Sequence, residues 1–235
     1  MGGRGLAGMA VVALSAAVVP LGGCTDSAPK PDVTAPTPAQ QLAAAKAAVD
    51  RATSMHLVLE SKNLPQGVTG VVGADGVGAH PPAFKGTFKV TAQGTQASVD
   101  VVAVEGKVYT KLPFTSIFVD VDPKVLGAPD PASLFAPDTG VTSLLTATQN
   151  PTKGPATRKG SEVLTTITGT LAGAKIADLL LVGDRSGTFT ATYGITEPGG
   201  ELRSVDLVGP FYPAAASTYT VTLDKYGEPV DIKKP

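Results

Sequence analysis

The feature that most restricts the fold is a set of short apolar runs of period two, joined by turns too short for a crossover. Phe88, Val90 and Ala92 alternate with polar residues and end at Gln93-Gly94. Ala97, Val99, Val101 and Ala103 form the next run, which Glu105-Gly106 turns directly into Val108-Tyr109-Thr110. An apolar residue at every second position gives a strand one apolar face. Strands joined this tightly must be antiparallel, because parallel neighbours need a crossover of about a dozen residues or more.

The same period recurs along the chain. Met55, Leu57 and Leu59 alternate with His56, Val58 and Glu60, and residues 161–171 read as a strand. Strands are also expected around Phe189, Tyr193 and Val205, and Tyr219, Val221 and Leu223 alternate with three threonines. The region 65–83 is rich in glycine and proline and reads as a long connection or irregular edge, with Gly73, Gly76 and Gly78 as flexible turns.

Helical signals come from three separate places. Thr37, Pro38 and Gln40 form a capping-box start, after which Leu42, Ala45, Val49 and Ala52 share one face. Asp130-Pro131 opens a turn carrying Leu134 and Phe135, and Asp138 or Thr139 is placed to cap a helix bearing Val141, Leu144 and Leu145. Residues 172–182 read as a helix through Ile176, Leu179 and Leu180. The class is therefore α+β: a large curved antiparallel sheet with helices over one apolar face.

Cys24, the only cysteine, closes an apolar N-terminal run as Leu21-Gly22-Gly23-Cys24. Arg4, the apolar stretch from Leu6 to Leu21 and the small Gly22-Gly23 pair have the architecture of a secretory signal. A cysteine directly after the cut makes this a lipobox, whose thiol takes a diacylglyceryl group. The expected organisation is a signal peptide over 1–23, a lipidated Cys24 with a Pro/Ser/Thr-rich tether over 24–38, and one domain over 39–235. Two acyl chains on one residue suffice for stable anchoring, where a single chain binds only marginally. The expected location is the outer face of the cell membrane, in the periplasm or envelope.

Loss of 1–23 removes Arg4 and no acidic residue, so 18 of the 19 basic side chains remain against all 20 acidic ones. Such a near-neutral chain lacks the concentrated basic surface that nucleic acid requires. Catalytic patterns are equally missing. His56 lies in a strand and His80 precedes Pro81-Pro82; neither belongs to a metal-ligand spacing. There is no nucleophile elbow, phosphate loop or complete dinucleotide fingerprint. Asp120-Val121-Asp122 reads as a solvated strand end. No metal, cofactor or enzymatic activity is expected.

Several segments, taken in order, resemble the actinobacterial lipoproteins of the LppX/LprG group, to which LprA and LprF also belong. They are Ser54-Met55-His56-Leu57-Val58, Val104-Glu105-Gly106-Lys107-Val108-Tyr109, Pro137-Asp138-Thr139-Gly140-Val141 with Leu144-Leu145, Thr165-Thr166-Ile167-Thr168-Gly169, and the closing run from Val221 to Val230. The resemblance spans about Gln41 to Pro235. Where the group often has tryptophan, this chain has Tyr193 and Tyr226.

The resemblance implies a half-barrel sheet, helices over its concave face and an apolar cavity between them. It also implies a cargo of di- or triacylated glycolipid or a related envelope lipid, carried toward the outer layer, with a membrane transporter as a partner of some members. The protein is expected to be a monomer attached to the membrane through acylated Cys24. Candidate cavity residues are Leu57, Leu59, Phe88, Val90, Val99, Val101, Val221 and Leu223 on the sheet, with Leu144, Leu145, Ile176 and Leu180 on the helices. A packed core would give the same pattern, since both bury an apolar face. The alternative is a tethered scaffold or sensor-accessory module for a transporter or kinase, with its interior filled by side chains.

Overall fold

A computed structural model describes residues 35–92, 94–213 and 215–235. The chain divides into two units, 1–35 and 36–235, and the second holds all the elements below. Cys24, the signal segment and most of the tether lie outside the described residues.

Helix α1 (Pro38–Arg51) starts as the sequence dictates. The Gln40 amide donates to Thr37 Oγ1 at 3.3 Å, and the Thr37 amide donates to Gln40 Oε1 at 2.8 Å. Pro38 occupies the first turn, where its missing N–H costs nothing. Leu42, Ala45 and Val49 are buried along one stripe.

Among the described residues twelve strands build a single antiparallel sheet. They are β1 (Ser54–Lys62), β2 (Gly70–Ala79), β3 (Ala83–Ala92), β4 (Thr95–Val104), β5 (Lys107–Lys111), β6 (Val119–Asp120), β7 (Gln149–Lys153), β8 (Thr157–Lys159), β9 (Glu162–Ala172), β10 (Thr188–Glu197), β11 (Leu202–Tyr212) and β12 (Ala215–Asp224). The order is β6-β5-β4-β3-β2-β1-β12-β11-β10-β9-β7, with β8 also beside β9. Two meanders thus run outward from the central β1–β12 pair, and the sheet does not close.

The segment expected as an irregular connection is largely β2, a central strand with full partners on both sides. Its glycines are not turns. Gly76 and Gly78 lie on the inward face, where a Cβ would meet Phe84 Cζ at 2.6 Å and Phe135 Cε1 at 2.0 Å respectively. The strand gives up its own apolar alternation so that rings from β3 and the insert can lie flat on it, which hides it from a periodicity search.

Between β6 and β7 the chain forms two 3₁₀ turns (Pro123–Leu126 and Ser133–Phe135) and helix α2 (Ser143–Ala147). Neither Asp138 nor Thr139 caps α2, whose N-cap is Thr142. Asp138 instead accepts from Lys46 Nζ at 2.7 Å, and Thr142 donates its hydroxyl to Asp50 at 2.7 Å. These groups tie the insert to α1 rather than to its own helix end. Helix α3 (Gly173–Leu180) bridges β9 and β10 and ends at Leu181, in the left-handed region at φ 57°.

Register places the apolar alternation on one side. Leu57 faces Leu223 and Gly76, Leu59 faces Val221 and Ala74, Phe88 faces Val99, and Gly86 faces Val101. Directly opposed residues of an antiparallel pair project to the same face, so these form one continuous inward surface. Helices α1 and α2, the turn bearing Phe135, and α3 pack on it. His80 stitches the covering elements to the sheet, with its ring nitrogens 2.5 Å from the Ala52 carbonyl and 2.6 Å from that of Phe135. On the outward face the C-terminal segment runs from Ser54, which accepts from the Gly227 amide at 2.9 Å, to Tyr109, whose ring lies 5.8 Å from Lys234 Nζ.

Candidate functional site

The inward face is covered unevenly: on β1, β3 and β4 cover falls along the strand, whereas on β9 and β10 the inward residues from Thr165 to Leu171 and from Phe189 to Ile195 are buried throughout. On β1, Met55 is 1% exposed, whereas Leu57 and Leu59 are half-buried. On β3, Phe84 is 1% exposed, whereas Phe88 and Val90 are half-buried. On β4, Ala103 and Val101 are buried, and Val99 and Ala97 are not fully so. The register aligns these changes: Met55, Phe84 and Ala103 sit under the helices at one end of the sheet. Leu59, Phe88, Val90 and Val99, with Val221 beside them, face inward toward the other end and retain contact with solvent. None of these half-buried positions carries an ionisable group.

All twelve residues expected to line a cavity lie on the inward face or on the elements that cover it. Leu144, Leu145, Val101, Ile176 and Leu223 are buried members of the packed core. Leu57, Leu59, Phe88, Val99, Leu180 and Val221 are partly buried against it. Val90 is half-buried beyond that cluster. Buried and half-buried residues thus lie at different heights along β1, β3 and β4. Leu64, Leu179, Val182, Val205 and Tyr212 join the half-buried set. Leu64 and Tyr212 escaped the sequence reading because they fall in a connection and at a strand end, where no alternation marks them.

Polar groups at the open end are satisfied locally. The Tyr212 and Tyr219 hydroxyls are 2.9 Å apart, and Tyr219 donates to the Val71 carbonyl at 3.2 Å. A groove of about 540 Å³ opens there, lined by Gly183, Asp184, Pro210, Phe211, Tyr212, Pro213 and Ala216. Phe211 carries the groove into the core through edge-on contacts with Phe189 and Tyr219, at ring separations of 4.8 and 4.7 Å. A second groove, of about 540 Å³, lies over α1 and the insert around Lys46, Asp50 and Asp138. Tyr193 is fully buried and hydrogen-bonded to Thr148 at 2.7 Å. Burial pushes its hydroxyl up to about 12 despite that bond, so it acts as a neutral structural group.

The outward face carries the only histidine with carboxylate partners among the described residues. His56 Nδ1 lies 2.7 Å from Asp224 Oδ1, and Nε2 lies 3.0 Å from Asp75 Oδ1, so one ring clips β12, β1 and β2 together. Partial burial pushes the His56 pKa down. Hydrogen bonds from the ring to Asp75 and Asp224, aided by their negative charge, outweigh that, and the pKa stands above 6.5. A raised histidine pKa stabilises the fold at pH values below the unfolded value, and the gain is lost as pH rises through the folded value. Stability should therefore fall on going from mildly acidic to mildly alkaline solution, and His56→Gln should flatten that fall. Denaturant midpoints at several pH values test this; equal slopes in both proteins would refute it.

Among the described residues no cluster of histidine, cysteine, aspartate and glutamate is arranged to hold a metal ion. No described helix is long and apolar enough to cross a membrane.

The chain is similar to two solved structures over nearly their full length. LprF from Mycobacterium bovis matches at 21% identity and a TM-score of 0.71, covering 84% of this chain and 96% of that one. LppX from Mycobacterium tuberculosis matches at 22% identity and a TM-score of 0.62, covering 83% and 98%. At these identities the likeness establishes the fold. No curated protein sequence matches significantly. The family model for LppX_LprAFG lipoproteins matches residues 37–232, nearly the whole of the described unit, and the chain belongs to that family.

Proposed function

We propose that the protein is a membrane-anchored carrier that shelters the acyl chains of an envelope lipid against the inward face of its sheet. The cargo is a di- or triacylated glycolipid or a related lipid, moved across the periplasmic space toward the outer layer. The carrying observation is the burial gradient on β1, β3 and β4, whose apolar face is closed at the end bearing Met55, Phe84 and Ala103 and half open at the end bearing Leu59, Phe88 and Val99. Leaving such residues wet is costly, because each methylene withdrawn from water contributes about 0.8 kcal/mol. A lipid lying along Leu59, Phe88, Val99 and Val221 would recover that free energy, and its head group would remain at the open end. Membership in a lipoprotein family supports Cys24 as the acylated anchor, with residues 24–38 as its tether.

A photoreactive diacylated lipid tests the assignment of the face. With the full chain carrying Cys24→Ser, the label, located residue by residue, should fall on the side chains of Leu59, Phe88 or Val99. Labelling confined to outward positions such as Lys89 or Ser98 would favour a scaffold with a filled interior. Fed an alkyne-tagged fatty acid, the parent protein should be labelled and Cys24→Ser should not. Equal labelling of both would remove Cys24 as the acylated residue.

A further inference from the structure

The loop between β5 and β6 reads Leu112-Pro113-Phe114-Thr115-Ser116-Ile117-Phe118-Val119 and has no ionisable side chain. Leu112 is 53% exposed, Phe114 109%, Ile117 71% and Val119 48%, which makes this the densest set of exposed apolar residues among the described residues. Scattered surface leucines need no explanation, but a contiguous group marks an interaction site.

The backbone holds the group outward at a cost. Leu112 accepts from the Thr115 amide at 3.2 Å, closing a turn with Pro113 and Phe114 at its centre. Phe114 has φ 67°, a left-handed conformation that this turn position reserves for glycine or asparagine. A bulky aromatic there is strained, and strain kept in a fully exposed loop points to function. Leu181, 47% exposed, repeats the arrangement at φ 57° after α3.

Both features follow strands whose chain direction runs toward the open end of the sheet. Lys111 pairs opposite Asp100, midway along β4, so the loop leaves β5 heading toward the start of β4, and the register links that start in turn to the end of β3, the start of β2, the end of β1, the start of β12, the end of β11, the start of β10 and the end of β9. The loop at 112–119 and Leu181 therefore flank the side on which Leu59, Phe88 and Val99 remain accessible.

We propose that this loop, seconded by Leu181, inserts into a bilayer surface and sets the open end of the sheet against the membrane. Three observations favour a bilayer over a protein partner. The exposed side chains surround a protruding turn, which suits a fluid phase better than a flat complementary surface. A few such side chains offer on the order of a few hundred Å², below the roughly 800 Å² per partner of a stable protein interface. Lys111 stands at the loop base, ion-paired with Asp100 at 2.8 Å and with Nζ 5.4 Å from the Phe118 ring centre, so a polar collar lies beneath an apolar tip.

The proposal rests on the carrier reading for its purpose, because a docked open end lets a lipid pass between bilayer and sheet without crossing water.

The sequence has no tryptophan, so Phe114→Trp provides a single reporter. It is placed in the full chain with Cys24→Ser and mixed with vesicles of phosphatidylethanolamine, phosphatidylglycerol and cardiolipin. Its emission should shift to the blue and be quenched by brominated acyl chains. Adding Leu112→Ser and Ile117→Ser should weaken partitioning at least about tenfold, as expected for losing two apolar side chains. Val230→Trp, in the C-terminal segment, should stay unquenched. An unchanged Phe114→Trp spectrum, equal quenching of Val230→Trp, or a shift that depends on protein concentration without vesicles would overturn the proposal. Lipid extraction from the same samples reports on the carrier reading separately: docking without cargo would leave the loop assignment standing alone, and cargo without docking would remove only the loop.

Discussion

Val99→Trp is expected to abolish lipid capture in a folded protein, whereas Val101→Trp is expected to damage the fold itself. The two residues face the same side of β4 and differ in what lies above them. Val101 is 2% exposed and opposes Gly86, in the part of the sheet closed by the helices. Extra volume there must displace packed neighbours, at about 1–3 kcal/mol or more. Val99 is half-buried and opposes Phe88 near the open end, where an indole has solvent to displace rather than core. The tryptophan would occupy the surface assigned to an acyl chain. Bound lipid should fall at least tenfold, with a melting temperature near that of the parent. Equivalent loss of stability in both variants would mean that Val99 is ordinary core; normal lipid binding in Val99→Trp would place the cargo elsewhere.

Phe84→Ala should produce the largest loss of stability among single core truncations, at about 3–5 kcal/mol. Phe84 is 1% exposed, lies 5.2 Å from Phe88 and 6.1 Å from Phe135 between ring centres, and rests on the glycines of β2 and β3. Those glycines cannot move in to refill the space. The ring also joins sheet to insert through Phe135, so its removal loosens the cover as well as the core. Against a total of about 5–15 kcal/mol for a typical domain, the loss is a large fraction. Phe88→Ala, at a half-buried position, should cost distinctly less in the same denaturation experiment. Equal costs would contradict the burial gradient on which the functional reading depends.

What could be read from the sequence was whatever rested on local pattern. The capping box at Thr37 and Gln40, the alternation on β1, β3, β4 and β12, and the turns at Gly94 and Gly106 are all set within a few residues. They sufficed for an antiparallel sheet and for the common face of the apolar residues on β1, β3, β4 and β12. The segment 70–79 failed because its signal is non-local: Gly76 and Gly78 exist to accommodate Phe84 and Phe135, residues 8 and 57 positions further on. Asp138 misled for a similar reason, since its partner is Lys46 on another helix rather than the helix it precedes. The distinction between Val99 and Val101 was out of reach. Alternation reports which face a side chain takes, and only the position of α1, α2 and Phe135 decides how deeply that face is covered.

The claim that the half-open face holds lipid chains is tested most directly by the native mass of the full chain carrying Cys24→Ser, purified from an actinobacterial host without detergent. The account predicts a stoichiometric adduct that organic extraction identifies as a di- or triacylated lipid and that is missing from Val99→Trp. A clean protein mass, with no uptake of added glycolipid, would contradict it and leave a tethered module whose apolar face serves another purpose.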